Sequence, residues 1–353
     1  MTLGGLKDRL FVVLKASRSV SWFFWTMLLG NGMLHSRTMP GSSVLSQVGL
    51  QIFAFSIPLS ISVNDIYDYE TDRRNPRKLA DGLEGSVLDP MHHKDVLIAA
   101  YFSTIVILLS SLATQCRDNV LGVVLLLIVS WQYSAPPLRL KEIPIVDSLS
   151  NGCITFLIWF FGFSFSGSSL SHVPLKAIVN NICVAGGHAL AAVVDFEADS
   201  AAGIRTIATT MGKREAAMFA GLCFLVGSTT VAPVRIDAWL GSVIVALPCF
   251  KISWAHRCFQ AIVIFAITSQ LFWVVFRLWM MEAIGFNCVL DIIFDIQFLP
   301  LPTLCALDTE ELSLVHGRIR IYGEDAVDHQ HLSINLAYGI STLAIAGFVL
   351  AKF

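Results

Sequence analysis

The chain is poor in charge. Asp, Glu, Lys and Arg together make up 14% of its 353 residues, against about 25% in an ordinary soluble domain. With 55% hydrophobic residues, that shortage excludes a soluble globular protein and points to a polytopic membrane protein. The chain has no basic arm and no zinc-ligand spacing, and its net charge of −2 gives no support to a nucleic-acid partner. Cys-x-x-Cys pairs are also missing. The eight cysteines are scattered, mostly in apolar runs, and read as small buried apolar residues rather than disulfides or metal ligands. A clean signal-peptide pattern is lacking too: Met1 to Arg9 is polar and basic, and the apolar stretch after it is interrupted by Lys15 and Arg18. No cleavage is expected.

What is present is a series of long apolar runs. A spanning helix needs about 20 mostly apolar residues. Candidates are 9–34, 46–63, 95–113, 119–133, 147–167, 174–194, 214–233, 238–255, 259–281 and 332–351. The run 119–133 is short, and 238–255 contains Pro248 and Lys251. The expected fold is all-α, a polytopic bundle of about nine transmembrane helices, because a spanning segment must satisfy its own backbone hydrogen bonds. The whole chain, 1–353, reads as one membrane domain. Residues 285–331 form an irregular acidic insert with no assigned role.

Loop charge gives the orientation. Arg73, Arg74, Arg77, Lys78 and Lys94 lie between the second and third runs, Arg139 and Lys141 between the fourth and fifth, and Arg205, Lys213 and Arg214 between the sixth and seventh. The alternate loops carry only Arg37, Arg117 and Arg235. Positive charge on the cytosolic side puts the first group of loops there. In a eukaryotic cell the expected membrane is the endoplasmic reticulum.

Two acidic stretches lie on that side. Asn64-Asp65-Ile66-Tyr67-Asp68-Tyr69-Glu70-Thr71-Asp72 spaces its aspartates by three and then four residues. In a helix this spacing stacks them on one face. Like charges on one face repel, so a cation is expected against them. The second stretch, Asp195-Phe196-Glu197-Ala198-Asp199, repeats the arrangement four spans later. That recurrence suggests two copies of a four-helix unit, clearer in topology than in sequence. Between the stretches runs Tyr133 to Pro144, stiffened by Pro136 and Pro137 and carrying Arg139 and Lys141.

Oxygen-only ligands suit Mg²⁺, which takes one or two carboxylates plus phosphate oxygens. The interleaved Arg and Lys call for an anion bridged by the metal, and a diphosphate fits best. A charged head at the helix ends and an apolar tail in the bundle describe an isoprenyl diphosphate. Its ionisation leaves an allylic cation, which aromatic faces stabilise. Phe53, Phe55, Tyr101, Phe102, Trp131, Tyr133, Phe156, Trp159, Phe160, Phe161, Phe163 and Phe165 are available for that task, although most are expected to serve ordinary packing or lipid contact.

The pattern Asn64-Asp65-x-x-Asp68-x-x-x-Asp72, the Tyr133 to Lys141 loop and Asp195-x-x-x-Asp199-x-x-x-Gly203 together resemble the signature of the UbiA superfamily of intramembrane prenyltransferases. The resemblance implies nine transmembrane helices around a central cavity and two Mg²⁺ ions with the diphosphate between them. It implies Asp65, Asp68, Asp72, Asp195 and Asp199 as metal ligands, with Asp65, Asp68, Asp195 and Asp199 catalytic. Asn64, Arg77, Lys78, Arg139 and Lys141 would contact diphosphate. The continuation Asn75-Pro76-Arg77-Lys78 and the Asp-Phe-Glu-Ala-Asp stretch look closer to the terpenoid-handling branch, which includes carotenoid elongases and fungal membrane terpene cyclases. The expected activity is Mg²⁺-dependent ionisation followed by cyclisation of the same chain. The alternative is transfer to a lipophilic acceptor. The expected partners are the isoprenyl diphosphate and the bilayer, with no obligate protein partner.

Two other classes remain. A cation transporter would carry its carboxylates at mid-membrane on broken helices, whereas these cluster at helix ends beside Arg and Lys. A catalytically dead scaffold has no need for intact aspartate stretches. His188, seven residues before Asp195, reads first as a packed, hydrogen-bonded residue and second as a base that quenches a cation. His92 and His93 read as solvated. Lys15 and Arg18 either snorkel to the surface or reach the diphosphate.

Overall fold

The computed structural model describes residues 3–36, 56–74, 79, 87–165, 167–230 and 236–263, and among these it is all-helical. Twelve helices carry labels here. Leu3–Ala16 (α1) and Ser19–Ser36 (α2) come first, then the short pair Val63–Tyr67 (α3) and Tyr69–Asp72 (α4), the latter two preceded by a helical segment at 56–61. His93–Ala113 (α5), Arg117–Ser134 (α6), Val146–Ser164 (α7) and Leu175–Val194 (α8) form the long central series. Phe196–Ala202 (α9), Ile207–Met211 (α10), Lys213–Thr229 (α11) and Ile236–Ala246 (α12) follow.

Among the described residues three helices, Pro90–Ala113, Val146–Ser164 and Leu175–Val194, are long and apolar enough to cross a membrane. The first has a mean hydropathy of 2.3 with only 28% of its window buried. Ile98, Phe102, Ile105 and Leu109 stand exposed along it, so lipid is the medium that covers them. The runs 259–281 and 332–351, and the insert 285–331, lie wholly or largely outside the described residues, as does the first part of 46–63.

Two expected spans are interrupted. The run 9–34 divides at Ser17 and Arg18, where Arg18 adopts φ 50°, a left-handed conformation uncommon outside glycine. The break is held by side chains that satisfy the helix end: Ser17 Oγ donates to Leu14 O at 2.6 Å, and Trp22 Nε1 donates to Ser17 O at 3.2 Å. The run 238–255 also fails as one helix. α12 stops at Ala246, Pro248 sits in a 3₁₀ turn, and helix resumes only at 255–263. Proline lacks the N–H that a continuing helix needs.

Among the described residues two large buried clusters and a smaller one of α7 aromatics with Ala177 make up the interior. One gathers Leu29, Ile107, Val123, Leu126, Ile158 and Phe161 from α2, α5, α6 and α7. The other joins α8, α10, α11 and α12 through Leu190, Ile207, Phe224, Val245 and small residues such as Ala189 and Ala220. α7 packs on α8 and bridges them. The aromatic run of α7 is packing: Trp159 stacks on Phe163 at 4.9 Å between ring centroids and on Phe156 at 5.9 Å, and Trp159, Phe160 and Phe163 are buried.

Candidate active site

The first acidic stretch is helical with one irregularity. α3 and α4 meet at Asp68, whose φ of −94° and ψ of −1° tighten the turn. The helical ladder survives it, since Asp68 N donates to Asn64 O at 2.9 Å and Asp72 N to Asp68 O at 2.8 Å. The i, i+4 relation read from the spacing therefore holds. Asp65 and Asp72 are buried, which charged groups tolerate only with partners. Asp65 Oδ1 accepts from Arg18 Nη2 at 2.5 Å, and Asp68 and Asp72 add to the field on the same guanidinium. Asp68 binds Lys141 Nζ through Oδ1 and Ser134 Oγ at 3.0 Å through Oδ2.

The second stretch is fixed by its backbone. Asp195 ends α8 and begins α9, and its carbonyl accepts from Asp199 N at 2.9 Å. Asp199 O accepts from Ile204 N at 2.9 Å, across Gly203 at φ 72°, where a side chain would be strained. α9 packs against α4, so the two acidic stretches are neighbours in space.

Lys141 arrives on a 3₁₀ turn, Leu140–Glu142, packed on α6 and α7. It is 8% exposed, too little for a solvated lysine. Arg139 does not follow it to the aspartates: its Nε donates to Glu142 Oε1 at 2.8 Å. Arg139 and Ile145 have φ of 44° and 71°. Arg18, which pairs with Asp65, and Arg139 and Ile145, which bracket Lys141 in sequence, are three of the four non-glycine residues at positive φ among the described residues. Such backbone persists where surrounding structure over-determines it, often at functional sites. Arg77 and Lys78 lie outside the described residues.

Two contributors were hidden in the sequence. Arg18 was one of two readings for its position, and only the break after α1 brings it to Asp65. Asp147 is fully buried, and it ties two helix starts together by accepting from Ser148 N at 2.7 Å and from Ile207 N at 2.8 Å. Its place at the start of an apolar run gave no hint of that second partner, 60 residues on.

The donor set suits a hard divalent cation. It consists of carboxylates and of Asn64 Oδ1, a buried oxygen with no hydrogen-bond partner. Among the described residues no three His, Cys, Asp or Glu side chains converge on one point. Mg²⁺ takes one or two carboxylates and completes its shell with phosphate and water oxygens. A cavity of about 270 Å³ opens beside Asp65 and Arg18, lined also by Phe11, Val12, Lys15, Leu88, Asp89 and His92. His92 is not simply solvated, since its Nδ1 lies 3.4 Å from Asp95 Oδ2.

Fold and site define an integral membrane protein, a helical bundle with paired acidic helices and a buried lysine gathered at one end. The chain belongs to the UbiA prenyltransferase family, which it matches over residues 23–274. It is 30% identical over 239 residues to a lycopene elongase/hydratase of Corynebacterium glutamicum, covering 67% of this chain and 81% of that one. It is 28% identical to the lycopene elongase/hydratase of Halobacterium salinarum, covering 64% and 80%. In fold it is similar to a UbiA homologue from Archaeoglobus fulgidus solved with GPP and Mg²⁺, at a TM-score of 0.50 and 21% identity over 74% of this chain and 98% of that one. A UbiA homologue from Aeropyrum pernix solved without ligand gives a TM-score of 0.51 at 18% identity, covering 71% and 96%.

Proposed function

We propose that the protein is a Mg²⁺-dependent prenyltransferase that ionises an isoprenyl diphosphate at the cytosolic face of its membrane and joins the allylic cation to a carbon–carbon double bond of an isoprenoid acceptor. The observation that carries this reading is the packing of α4 against α9 beside Lys141. Two acidic faces and a buried cation make a site for an anion bridged by metal rather than for a metal alone. Asp65, Asp68 and Asp72 on one face and Asp195 and Asp199 on the other hold two Mg²⁺ ions, which when bound supply the charge that stabilises the departing diphosphate. Lys141 and Asn64 meet the diphosphate directly, and Arg77, Lys78 and Arg139 are the further cations proposed to contact it. The isoprenyl tail extends among the helices, where water is scarce.

The carbon–oxygen bond to diphosphate breaks with its electron pair on oxygen. The acceptor's π electrons then form the new carbon–carbon bond and leave a tertiary cation, which loses a proton or takes up water. Cyclisation is the same attack made within one chain. Transfer is favoured because the relatives at about 30% identity carry the name lycopene elongase/hydratase, which implies two isoprenoid partners.

The test supplies microsomes holding the protein with Mg²⁺ and farnesyl or geranylgeranyl diphosphate, with and without lycopene. Diphosphate release that requires lycopene, stops in excess chelator, and falls at least about 100-fold in Asp65→Ala and Asp195→Ala is expected. A cyclic hydrocarbon formed without acceptor would establish cyclisation instead. Full turnover in chelator or in either variant would remove the mechanism.

A further inference from the structure

Just inside the acidic end of the bundle lies a polar chain that diphosphate binding does not use. The last turn of α6 sets the Tyr133 hydroxyl 2.9 Å from Nε2 of His188 on α8, with the rings edge to face. The other imidazole nitrogen, Nδ1, lies 3.3 Å from Ser148 Oγ on α7. Three helices each contribute one link. A packed histidine needs one partner for its N–H, whereas this one has a hydroxyl on each ring nitrogen. Burial acts against charge on both rings, and carboxylates act beside it: Asp147 and Asp195 bear on the imidazole, and Asp147, Asp68 and Asp199 on the phenol, with the Asn151 side chain alongside. Tyr133 therefore stands within the field of both acidic stretches, next in sequence to Ser134, which holds Asp68.

We propose that Tyr133 and His188 form the proton relay that ends the reaction, so that this pair decides whether the tertiary cation leaves as an alkene or as an alcohol. The proposal rests on the transfer reading above. A C–H bond beside the cationic carbon breaks and its electron pair closes a new double bond. The proton goes to the Tyr133 oxygen as the phenolic proton passes to Nε2 of His188, whose Nδ1–H donates to Ser148. The imidazolium is met by the surrounding carboxylates and returns its proton to water entering as diphosphate departs. Tyr133 is the group that meets the substrate, and His188 acts through it. Without the relay the cation persists until water reaches it, and the product is the alcohol.

The experiment uses the full-length protein in lipid nanodiscs with Mg²⁺, farnesyl or geranylgeranyl diphosphate and lycopene in ¹⁸O-labelled water, comparing the wild type with His188→Ala, His188→Gln and Tyr133→Phe. The wild type is expected to give mainly alkene. In each variant the ratio of alkene to ¹⁸O-alcohol should fall about 100-fold or more, the low end of the usual range for acid–base groups, read on the product that each variant still makes. His188→Gln keeps hydrogen bonding without the basicity, so its failure to restore the ratio separates proton transfer from packing. An unchanged ratio in variants that still release diphosphate overturns the relay alone, as does a wild type that makes only alcohol. A wild type that releases no diphosphate with lycopene present overturns the transfer reading and the relay with it.

Discussion

Asp68 shows how one side chain is made to serve a site. One oxygen takes Lys141 and the other takes Ser134, so a carboxylate on the α3–α4 turn is tied to the turn before α7 and to the end of α6. Both partners are nearly enclosed, with 10% of the lysine side chain and 16% of the aspartate exposed. Removing one member of such a pair leaves an uncompensated buried charge, at a cost of about 3–5 kcal/mol. Removing both leaves none. Lys141→Met is therefore expected to lower stability in detergent by about 3 kcal/mol, and Lys141→Met with Asp68→Leu to recover most of that loss. Thermal unfolding of the three proteins measures it. Equal destabilisation in the single and double variants would show that the pair is not a unit. At this scale the helical placement of the aspartates was legible, because spacing of three and four residues is the helix period written in charge. Arg18 was not, because its pairing with Asp65 joins residues 47 apart through a backbone reversal for which arginine has no preference.

At the scale of elements, α2 and α7 cross closely enough that their glycines are part of the contact. A Cβ on Gly162 would lie 2.1 Å from Leu29 O, and one on Gly32 would lie 2.0 Å from Trp159 O. Both obstacles are backbone, which cannot step aside as a side chain tip does. Small residues at such crossings let membrane helices approach. Gly162→Ala is expected to destabilise by at least about 1–3 kcal/mol, read as a lower melting temperature, while Gly187→Ala, where no atom lies within 4 Å, is expected to change it little. A Gly162→Ala protein as stable as the wild type would show that the helices separate without cost. Helix positions were legible wherever an apolar run was bounded by polar residues: the run 174–194 was expected and Leu175–Val194 is found. They failed at Arg18 and Pro248, where hydropathy averages over a residue that stops the helix for stereochemical reasons.

At the scale of the whole molecule, the orientation of the bundle decides which way the site faces. α6 ends and α7 begins beside Lys141, and α8 ends at Asp195, so the Lys141 turn and both acidic stretches share one end of the bundle. The turn between α7 and α8 lies at the other end, where Ser169 Oγ and Leu170 N donate to Asp118 Oδ2 at 2.9 and 2.8 Å. Alternating loop charge is the argument that the first end is cytosolic. That charge pattern is read from the sequence alone, since each basic side chain resists translocation whatever the packing. Exposed glycines offer a position for a tag at each end: Gly203, after α9, and Gly167, after α7, have no atom within 4 Å of an added Cβ. An epitope inserted after Gly203 is expected to be cut when intact microsomes meet protease, and one inserted after Gly167 only after the membrane is opened with detergent. The reverse pattern would put the carboxylates on the side of the membrane away from the cytosol and would remove the orientation on which the proposed substrate access is argued. Cleavage at both sites in closed vesicles would mean that α7 does not span, and the site would then have no apolar interior to receive the isoprenyl tail.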